Sequence, residues 1–561
     1  MNLGKAFLPL AVFSVLASPL SAQTPVAEHG MVATVHPLAT RAGVEALRRG
    51  GNAVDAAVAA ALTLGVVDGH NSGIGGGCFM LIRLADGRFI AIDGRETAPA
   101  TATRDMYIRD GNADTNLSQT GALAPGTPGA LAAYEHAVRN FGKRPLKEHL
   151  LAAADLAGKG FPIDSKYASK LKSAAKGIAK FPASRAIFLK ADGSAYREGE
   201  TLKQADLAKS YRAIADEGTK WFYDGPFAKT AGDWMAANGG RLAADDFRRY
   251  HIELREPIVS TYRGYRIVCF PPPSSGGVHV AQLLNMIETR DVKSMGAGSV
   301  EYIHFVTEAM KLAFADRAFW LGDPAFARVP RGLVNKDYAK SLAMKIRMDR
   351  ATSVEGHGIP ERASDDVFGK HTTHFSTADA GGNWVACTAT INTTFGSKVV
   401  VPGTGIVLNN QMDDFALQPG VPNHFGLLGG EANAVAPGKR PLSSMSPTIV
   451  LKGEDPILAV GAAGGPTIIS QTLLTMVNVL DFGMDVPAAV GAPRFHHQWS
   501  PDELKIEEGV GETVLNGLNE KGHKLAPCGK FGACNAVGRS ADGNGFVGAN
   551  DPRVPGLADG L

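Results

Sequence analysis

Two alternating segments, residues 374–379 and 384–392, flank the link Ala380-Gly381-Gly382-Asn383, and this arrangement constrains the path of the chain most tightly. Alternation has the period of a strand, and a short glycine-containing link closes an antiparallel hairpin. With the turn centred on Gly381, opposed residues sum to 762, which sets Thr372 against Thr390. Directly opposed side chains lie about 4.5–5.5 Å apart at Cβ, within reach of a hydroxyl–hydroxyl hydrogen bond. The period of two gathers Thr388, Thr390 and Asn392 on one face and Val385, Cys387, Ala389 and Ile391 on the other. One face therefore collects hydroxyls and an amide around Thr372. Threonine is also an ordinary strand former, so the face alone does not distinguish a site from a plain strand. A one-residue slip would undo the pairing.

A second feature lies downstream. Residues 457–460 read as a strand, followed by Gly461-Ala462-Ala463-Gly464-Gly465, Pro466, and an amphipathic helix with Ile469, Leu473, Val477 and Leu480 on one side. Proline at the first helical position suits a helix start, whose free N–H groups receive anions. Two consecutive glycines can turn their N–H groups to one point, as an oxyanion hole requires. A tight turn without a chemical role fits the same residues.

The cluster Gly73-Ile74-Gly75-Gly76-Gly77 is not a dinucleotide fingerprint. That fingerprint follows a strand and opens a helix. Here a helix at 53–64, apolar nearly all round and so expected to be buried, precedes the glycines, and a strand at 79–84 follows. Another helix is expected at 39–47 and a strand at 89–93. Residues 125–350 read as mainly helical, interrupted by Pro271-Pro272-Pro273-Ser274-Ser275-Gly276-Gly277.

Length alone, 561 residues, suggests roughly three to five domains. Lysine and arginine total 57 against 55 acidic residues, a net +2 that steers the chain toward neither nucleic acid nor an anionic membrane. Lys5, an apolar stretch at 6–16 and the small residues ending at Ala22 form a signal peptide over residues 1–22, too short to span a bilayer. A periplasmic or secreted location follows, without a membrane anchor. Cys78, Cys269 and Cys387 lie in apolar, strand-like runs. Cys528 and Cys534 are close in a glycine-rich loop and could pair in an oxidising compartment.

Several ordered motifs then coincide. Thr372-Thr373-His374-Phe375-Ser376, Asn392-Thr393-Thr394-Phe395-Gly396, Asn409-Asn410-Gln411-Met412-Asp413-Asp414-Phe415 and Pro441-Leu442-Ser443-Ser444-Met445-Ser446-Pro447-Thr448 closely resemble the γ-glutamyltransferase (glutathione hydrolase) family. So do Asp93-Gly94-Arg95-Glu96, Asp323-Pro324 and Arg494-Phe495-His496-His497. The resemblance runs from about residue 30 to the C-terminus. It implies an α+β fold, the four-layer αββα sandwich of N-terminal-nucleophile hydrolases, made as one precursor and cut between His371 and Thr372. The large subunit is then 23–371 and the small one 372–561, forming one interleaved domain in place of the several that length suggests.

Carried over position by position, the resemblance makes Thr372 the nucleophile, with its own freed amine as base. Thr390 orients the hydroxyl, and the N–H groups of Gly464 and Gly465 hold the oxyanion. Arg95 grips the α-carboxylate of a γ-glutamyl substrate with Ser443 and Ser444 assisting. Asp414 pairs with the α-ammonium, completed by Asn392 and Gln411. The implied partners are small molecules (glutathione and other γ-glutamyl compounds, amino acid or dipeptide acceptors) and the cleaved subunit itself; no cofactor or metal is implied. Two departures stand out: Phe425 replaces a common tyrosine in a lid segment, which predicts a looser lid, and Ala462-Ala463 replaces a common Ser-Pro. Rival readings are a cephalosporin acylase of the same fold, acting on side chains without the α-ammonium, and an exported binding protein without catalysis. A metallohydrolase built on His496-His497 is weaker, since adjacent histidines do not easily ligate one ion.

Overall fold

The computed structural model describes residues 26–361, 363, 367, 368 and 375–561. The leader and the bond between His371 and Thr372 lie outside the described residues.

Two seven-stranded antiparallel sheets face one another. The first runs, in spatial order, Val26–Ala27, Phe546–Ala549, Ala533–Arg539, Asp455–Ala463, Thr448–Lys452, Tyr265–Cys269 and Ile258–Tyr262. The second runs Leu557–Gly560, Gly30–Thr34, Phe375–Asp379, Trp384–Thr390, Gly77–Arg83, Phe89–Gly94 and Glu253–Leu254. Between them lies a dry layer that includes Leu81, Trp384, Ala386, Ile449, Val537 and Phe546.

Helices close both outer faces. Ala53–Val67 and Ala130–Phe141 pack against the second sheet and Leu146–Lys159 packs on Ala53–Val67, all sharing a core with Val385 and Met80. Gly276–Ile287 and Thr467–Leu480 pack against the first, around Val450 and Val460, and Val300–Trp320 packs on Gly276–Ile287. This is the αββα sandwich, with three parallel cores. Fully burying one large aliphatic or aromatic side chain is worth about 1.5–3 kcal/mol, so these layers hold the sheets at fixed separation.

Local sequence explains the elements nearest the cavity. Ala53–Val67 starts from a capping box, Asn52 accepting from Val54 and Asp55 N–H while Asp55 accepts from Asn52 N–H. All of its residues except Leu64 are buried, as a sequence apolar nearly all round demands. In the hairpin, Phe375 pairs with Cys387, Thr377 with Val385 and Ala378 with Trp384, each pair summing to the expected 762. The even positions Trp384 and Ala386 point into the layer between the sheets, and Val385 points to the helices.

The two parts that a cut at His371 would create share this architecture. Gly30–Thr34 pairs with both Phe375–Asp379 and Leu557–Gly560, and Trp384–Thr390 pairs with Gly77–Arg83. Sheet hydrogen bonds thus join residues upstream and downstream of 371. The several domains suggested by length are one sandwich.

Other expectations need correction. The stretch 125–350 is not interrupted by its proline run alone, because Glu253–Leu254, Ile258–Tyr262 and Tyr265–Cys269 are strands. The last two form a hairpin through Arg263 and Gly264, both at positive φ, and complete the edge of the first sheet. Cys528 and Cys534 are both free thiols: Cys534 is buried near Thr475, and Cys528 lies near the Ile506 carbonyl. No helix among the described residues is long and apolar enough to cross a membrane.

Candidate active site

At the open end of the layer between the sheets, the even-numbered face of Trp384–Thr390 changes from apolar to polar. Thr388 and Thr390 line a cavity of about 510 Å³ there. The glycine cluster makes room for this strand end. A Cβ on Gly76 would sit 2.0 Å from the Thr390 carbonyl oxygen, and one on Gly75 2.0 Å from that of Val407. Close backbone approach is what these glycines permit. Thr390 Oγ1 accepts from Asn392 N–H at 2.7 Å, and Asn392, itself at φ +77°, donates through Nδ2 to the Asn410 carbonyl at 3.0 Å.

Arg95 leaves the end of Phe89–Gly94 with its backbone N–H held by Asp93 Oδ1 at 2.8 Å. Asp93 is also ion-paired to Arg255 and Arg440, and Asp323 Oδ2 accepts from Arg440 N–H. Burial alone would raise the Asp93 pKa, but these guanidiniums and the Arg95 N–H hold it below the usual carboxylate range. The Asp-Gly-Arg-Glu and Asp-Pro motifs therefore form a scaffold that fixes Arg95.

The Arg95 side chain is fully buried. Its Nε donates to the Pro441 carbonyl at 3.0 Å, and Nη2 donates to Asp414 Oδ2 at 2.6 Å and to the Leu442 carbonyl at 3.2 Å. Nη1 makes no hydrogen bond among the described residues and lies 3.6 Å from Glu96 Oε2. Asp414 ends the short helical turn Gln411–Asp414, where Gln411 Nε2 donates to its Oδ2 at 3.1 Å. Burial raises the Asp414 pKa, opposed by Arg95. The opposite charges expected to read a substrate's α-carboxylate and α-ammonium are thus paired with each other.

Ser443 and Ser444 are positioned by the Pro-Pro-Pro-Ser-Ser-Gly-Gly segment. Ser443 N–H donates to the Pro273 carbonyl at 2.8 Å, and the Ser275 N–H and hydroxyl both donate to the Ser443 carbonyl at 2.7 Å. Beyond them, Gly464 (φ +136°) and Gly465 (φ +61°) link Asp455–Ala463 to Thr467–Leu480, with Pro466 at the N-cap instead of the expected first helical position. Neither glycine N–H donates a hydrogen bond among the described residues, and both residues line the cavity. The Phe425 ring lies directly over this turn: a Cβ on Gly465 would meet its Cδ1 at 2.6 Å. Asn423 Oδ1 accepts from Phe425 N–H at 3.0 Å and Gln498 Nε2 donates to the Phe425 carbonyl at 3.1 Å, anchoring the segment despite the absent tyrosine hydroxyl.

Nine of the ten sequence-derived positions (Arg95, Thr390, Asn392, Gln411, Asp414, Ser443, Ser444, Gly464 and Gly465) line this one cavity. Thr372 lies outside the described residues. The hairpin register holds on all three described pairs leading toward it.

The family model described as gamma-glutamyltranspeptidase matches residues 39–561. The chain belongs to the gamma-glutamyltranspeptidase family. Its similarity to the glutathione hydrolase proenzyme of Escherichia coli (strain K12) is 46% identity over 530 residues, 94% of this chain and 91% of that one. Among solved structures, a cephalosporin acylase from Bacillus halodurans aligns with TM-score 0.86 at 28% identity, covering 98% of this chain and 99% of that one. A Helicobacter pylori gamma-glutamyltranspeptidase aligns with TM-score 0.56 at 40% identity, covering 57% of this chain and 92% of that one.

Within this member of the gamma-glutamyltranspeptidase family, Arg317 is among the cavity residues that sequence reasoning missed. It projects from Val300–Trp320, is buried, and donates through Nε to Ser275 Oγ at 3.0 Å and through Nη2 to Ser444 Oγ at 3.2 Å. Burial lowers its pKa to about 10, so it stays charged at neutral pH beside Arg95 and Asp414. A basic residue set among Ala313, Phe314, Ala315, Ala318 and Phe319 was the available signal.

The paired histidines serve packing. His496 Nδ1 lies 3.0 Å from Ser470 Oγ, and His497 Nδ1 accepts from Trp499 N–H at 3.0 Å. Burial pushes the His496 pKa down to about 4, so it is neutral. His304, Glu308 and His523, all buried, come close enough together to share an ion, away from the cavity. However, His304 Nε2 faces the Arg347 carbonyl and must donate to it, leaving Nδ1 to accept from His523 Nε2 at 2.7 Å. Lys311 Nζ, 2.5 Å from Glu308 Oε1, already neutralises the carboxylate.

Proposed function

We propose that the protein is an autoprocessed threonine-nucleophile enzyme that cleaves γ-glutamyl amide bonds, glutathione among them, and passes the glutamyl group to water or to an amine. The observation that carries this reading is the convergence of a buried guanidinium, a partly buried carboxylate and two unengaged glycine N–H groups on one cavity. A γ-linked glutamyl group leaves both α-charges free, and opposite charges at fixed spacing suit both.

In the precursor, Thr372 Oγ1 attacks the His371 carbonyl carbon and the peptide nitrogen departs as the α-amine of Thr372. Water then hydrolyses the resulting ester, leaving a carboxylate on His371. The freed amine, with an ordinary pKa of about 7.7–8.0, takes the hydroxyl proton when Oγ1 attacks the substrate's γ-carbonyl. Gly464 and Gly465 N–H groups stabilise the oxyanion; one such donor is typically worth about 10²–10³ in rate. The proton passes to the departing amine, and water or another amine then opens the γ-glutamyl ester. Nucleophile and base on one residue is an established variant of triad chemistry.

The sheet hydrogen bonds that cross position 371 support a mature heterodimer of residues 23–371 and 372–561. The signal-peptide pattern supports export to the periplasm or the outside. The E. coli relative is a proenzyme by name, which is in keeping with a precursor.

The acylase reading draws on the Bacillus halodurans likeness. Asp414 weighs against it, because a glutaryl group brings no cation to a carboxylate whose existing partner, Arg95, it would engage. Comparing γ-glutamyl-p-nitroanilide with glutaryl-p-nitroanilide tests the choice. The γ-glutamyl compound is expected to be the better substrate by kcat/KM, and preference for the glutaryl compound would reverse the assignment.

A further inference from the structure

The inner end of the cavity accounts for the glutamyl group and leaves the other half of the scissile bond without a partner. Lys166, Lys170 and Lys530 also line the cavity. Lys166 and Lys170 are one turn apart on Ser165–Ile178, so their side chains share a helix face. Lys530 comes from the loop between Leu525–Cys528 and Ala533–Arg539. The first two are half-buried and the third is exposed.

The surrounding charges leave this group electropositive. Arg553 lines the cavity too, but Glu507 and Asp551 already neutralise it. Among the described residues Asp414 is the one carboxylate in the cavity lining, and it is paired with Arg95. Asp164 caps the lysine-bearing helix by accepting from Tyr167 N–H. Asp68 feels the Lys166 charge, yet burial pushes its pKa up to about 7, so it is an incomplete counter-ion near neutral pH. None of the three lysines forms an ion pair or side-chain hydrogen bond among the described residues.

We propose that Lys166, Lys170 and Lys530 form a subsite for a carboxylate carried on the amine half of the reaction, namely the C-terminal carboxylate of a peptide leaving group or peptide acceptor. The assignment rests on the proposed γ-glutamyl activity and adds the chemistry of the second substrate half. A two-residue peptide places its carboxylate about 7 Å beyond the scissile nitrogen, at roughly 3.5 Å per residue. Half-exposed ammonium groups attract such a carboxylate without requiring fixed geometry, so the subsite favours anionic amines as a class.

Two anilides test this. γ-Glutamyl-p-nitroanilide has a neutral leaving group, and γ-glutamyl-3-carboxy-4-nitroanilide differs by one carboxylate. In the Lys166→Gln/Lys170→Gln double variant, the kcat/KM ratio of carboxylated to neutral substrate is expected to fall about tenfold, through KM, with about threefold per lysine. Raising salt from about 0.05 to about 0.5 M shrinks the same ratio in the unmodified enzyme. Lys530→Gln, at an exposed loop position, supplies an independent reading if the double variant folds poorly. A parallel arm compares glycylglycine with glycylglycine amide as acceptors, separating the acceptor from the leaving group. An unchanged ratio in both arms, with the neutral anilide still cleaved, overturns the subsite. If the unmodified enzyme cleaves neither anilide, the γ-glutamyl assignment itself fails and the subsite with it.

Discussion

Arg95 Nη2 and Asp414 Oδ2 are 2.6 Å apart in a pair whose arginine is buried and whose members are 319 residues apart in sequence. Each is the other's counter-ion, and each is assigned to one charge of the glutamyl α-carbon. A zwitterionic substrate can exchange this pair for two new ones without leaving an uncompensated charge. A substrate with only a carboxylate cannot. The pair thus favours ligands that carry both charges.

Removing one charge should therefore change selectivity as well as rate. Asp414→Asn is expected to lower kcat/KM for γ-glutamyl-p-nitroanilide by about 10²–10³, the usual cost of truncating a buried charge pair. Glutaryl-p-nitroanilide, without an ammonium, should lose far less. Steady-state kinetics on both substrates checks this, and equal losses would contradict the role given to Asp414.

The turn carrying the oxyanion donors makes a steric prediction. Gly465 has φ +61°, and a Cβ there would meet Phe425 Cδ1 at 2.6 Å. Gly465→Ala should lower kcat about tenfold or more, through strain in the turn and displacement of the ring. Adding Phe425→Ala should recover part of that loss, giving a coupling above about 0.5 kcal/mol in a double-mutant cycle. Strict additivity would mean that the ring does not bear on the turn.

Glu96 gives a pH dependence. It is fully buried, its oxygens have no hydrogen bond among the described residues, and burial, opposed by Arg95, raises its pKa from 4.5 to about 8. Between these values the unfolded chain has released this proton and the folded chain retains it. The contribution of Glu96 to folding stability therefore falls as pH rises from about 4.5 to about 8, and levels off above. Glu96→Gln should flatten this part of the stability profile in thermal unfolding across pH. An unchanged slope would show that another group sets it.

Much of this was legible in the sequence where local rules apply. The hairpin register followed from a period of two and a glycine turn, and it holds at Phe375, Thr377 and Ala378. The buried helix Ala53–Val67 and the exclusion of a dinucleotide loop at Gly73–Gly77 followed equally from local pattern. The strands Ile258–Tyr262 and Tyr265–Cys269 were missed because each is five residues long and the sheet partner of the second, Thr448–Lys452, lies far downstream. The cavity positions were legible only through ordered family motifs. Neither the Arg95–Asp414 pair nor the Arg317–Ser444 contact has a local signature, because each depends on how distant segments meet.

The central claim is that Thr372 makes its own active form by breaking its bond to His371. Denaturing gel electrophoresis with N-terminal sequencing, alongside γ-glutamyl-p-nitroanilide turnover, tests it directly in the unmodified protein and in Thr372→Ala. The unmodified protein should give two chains beginning at Gln23 and Thr372, and Thr372→Ala one uncut chain without γ-glutamyl release. Continued cleavage at this bond in Thr372→Ala would contradict the mechanism.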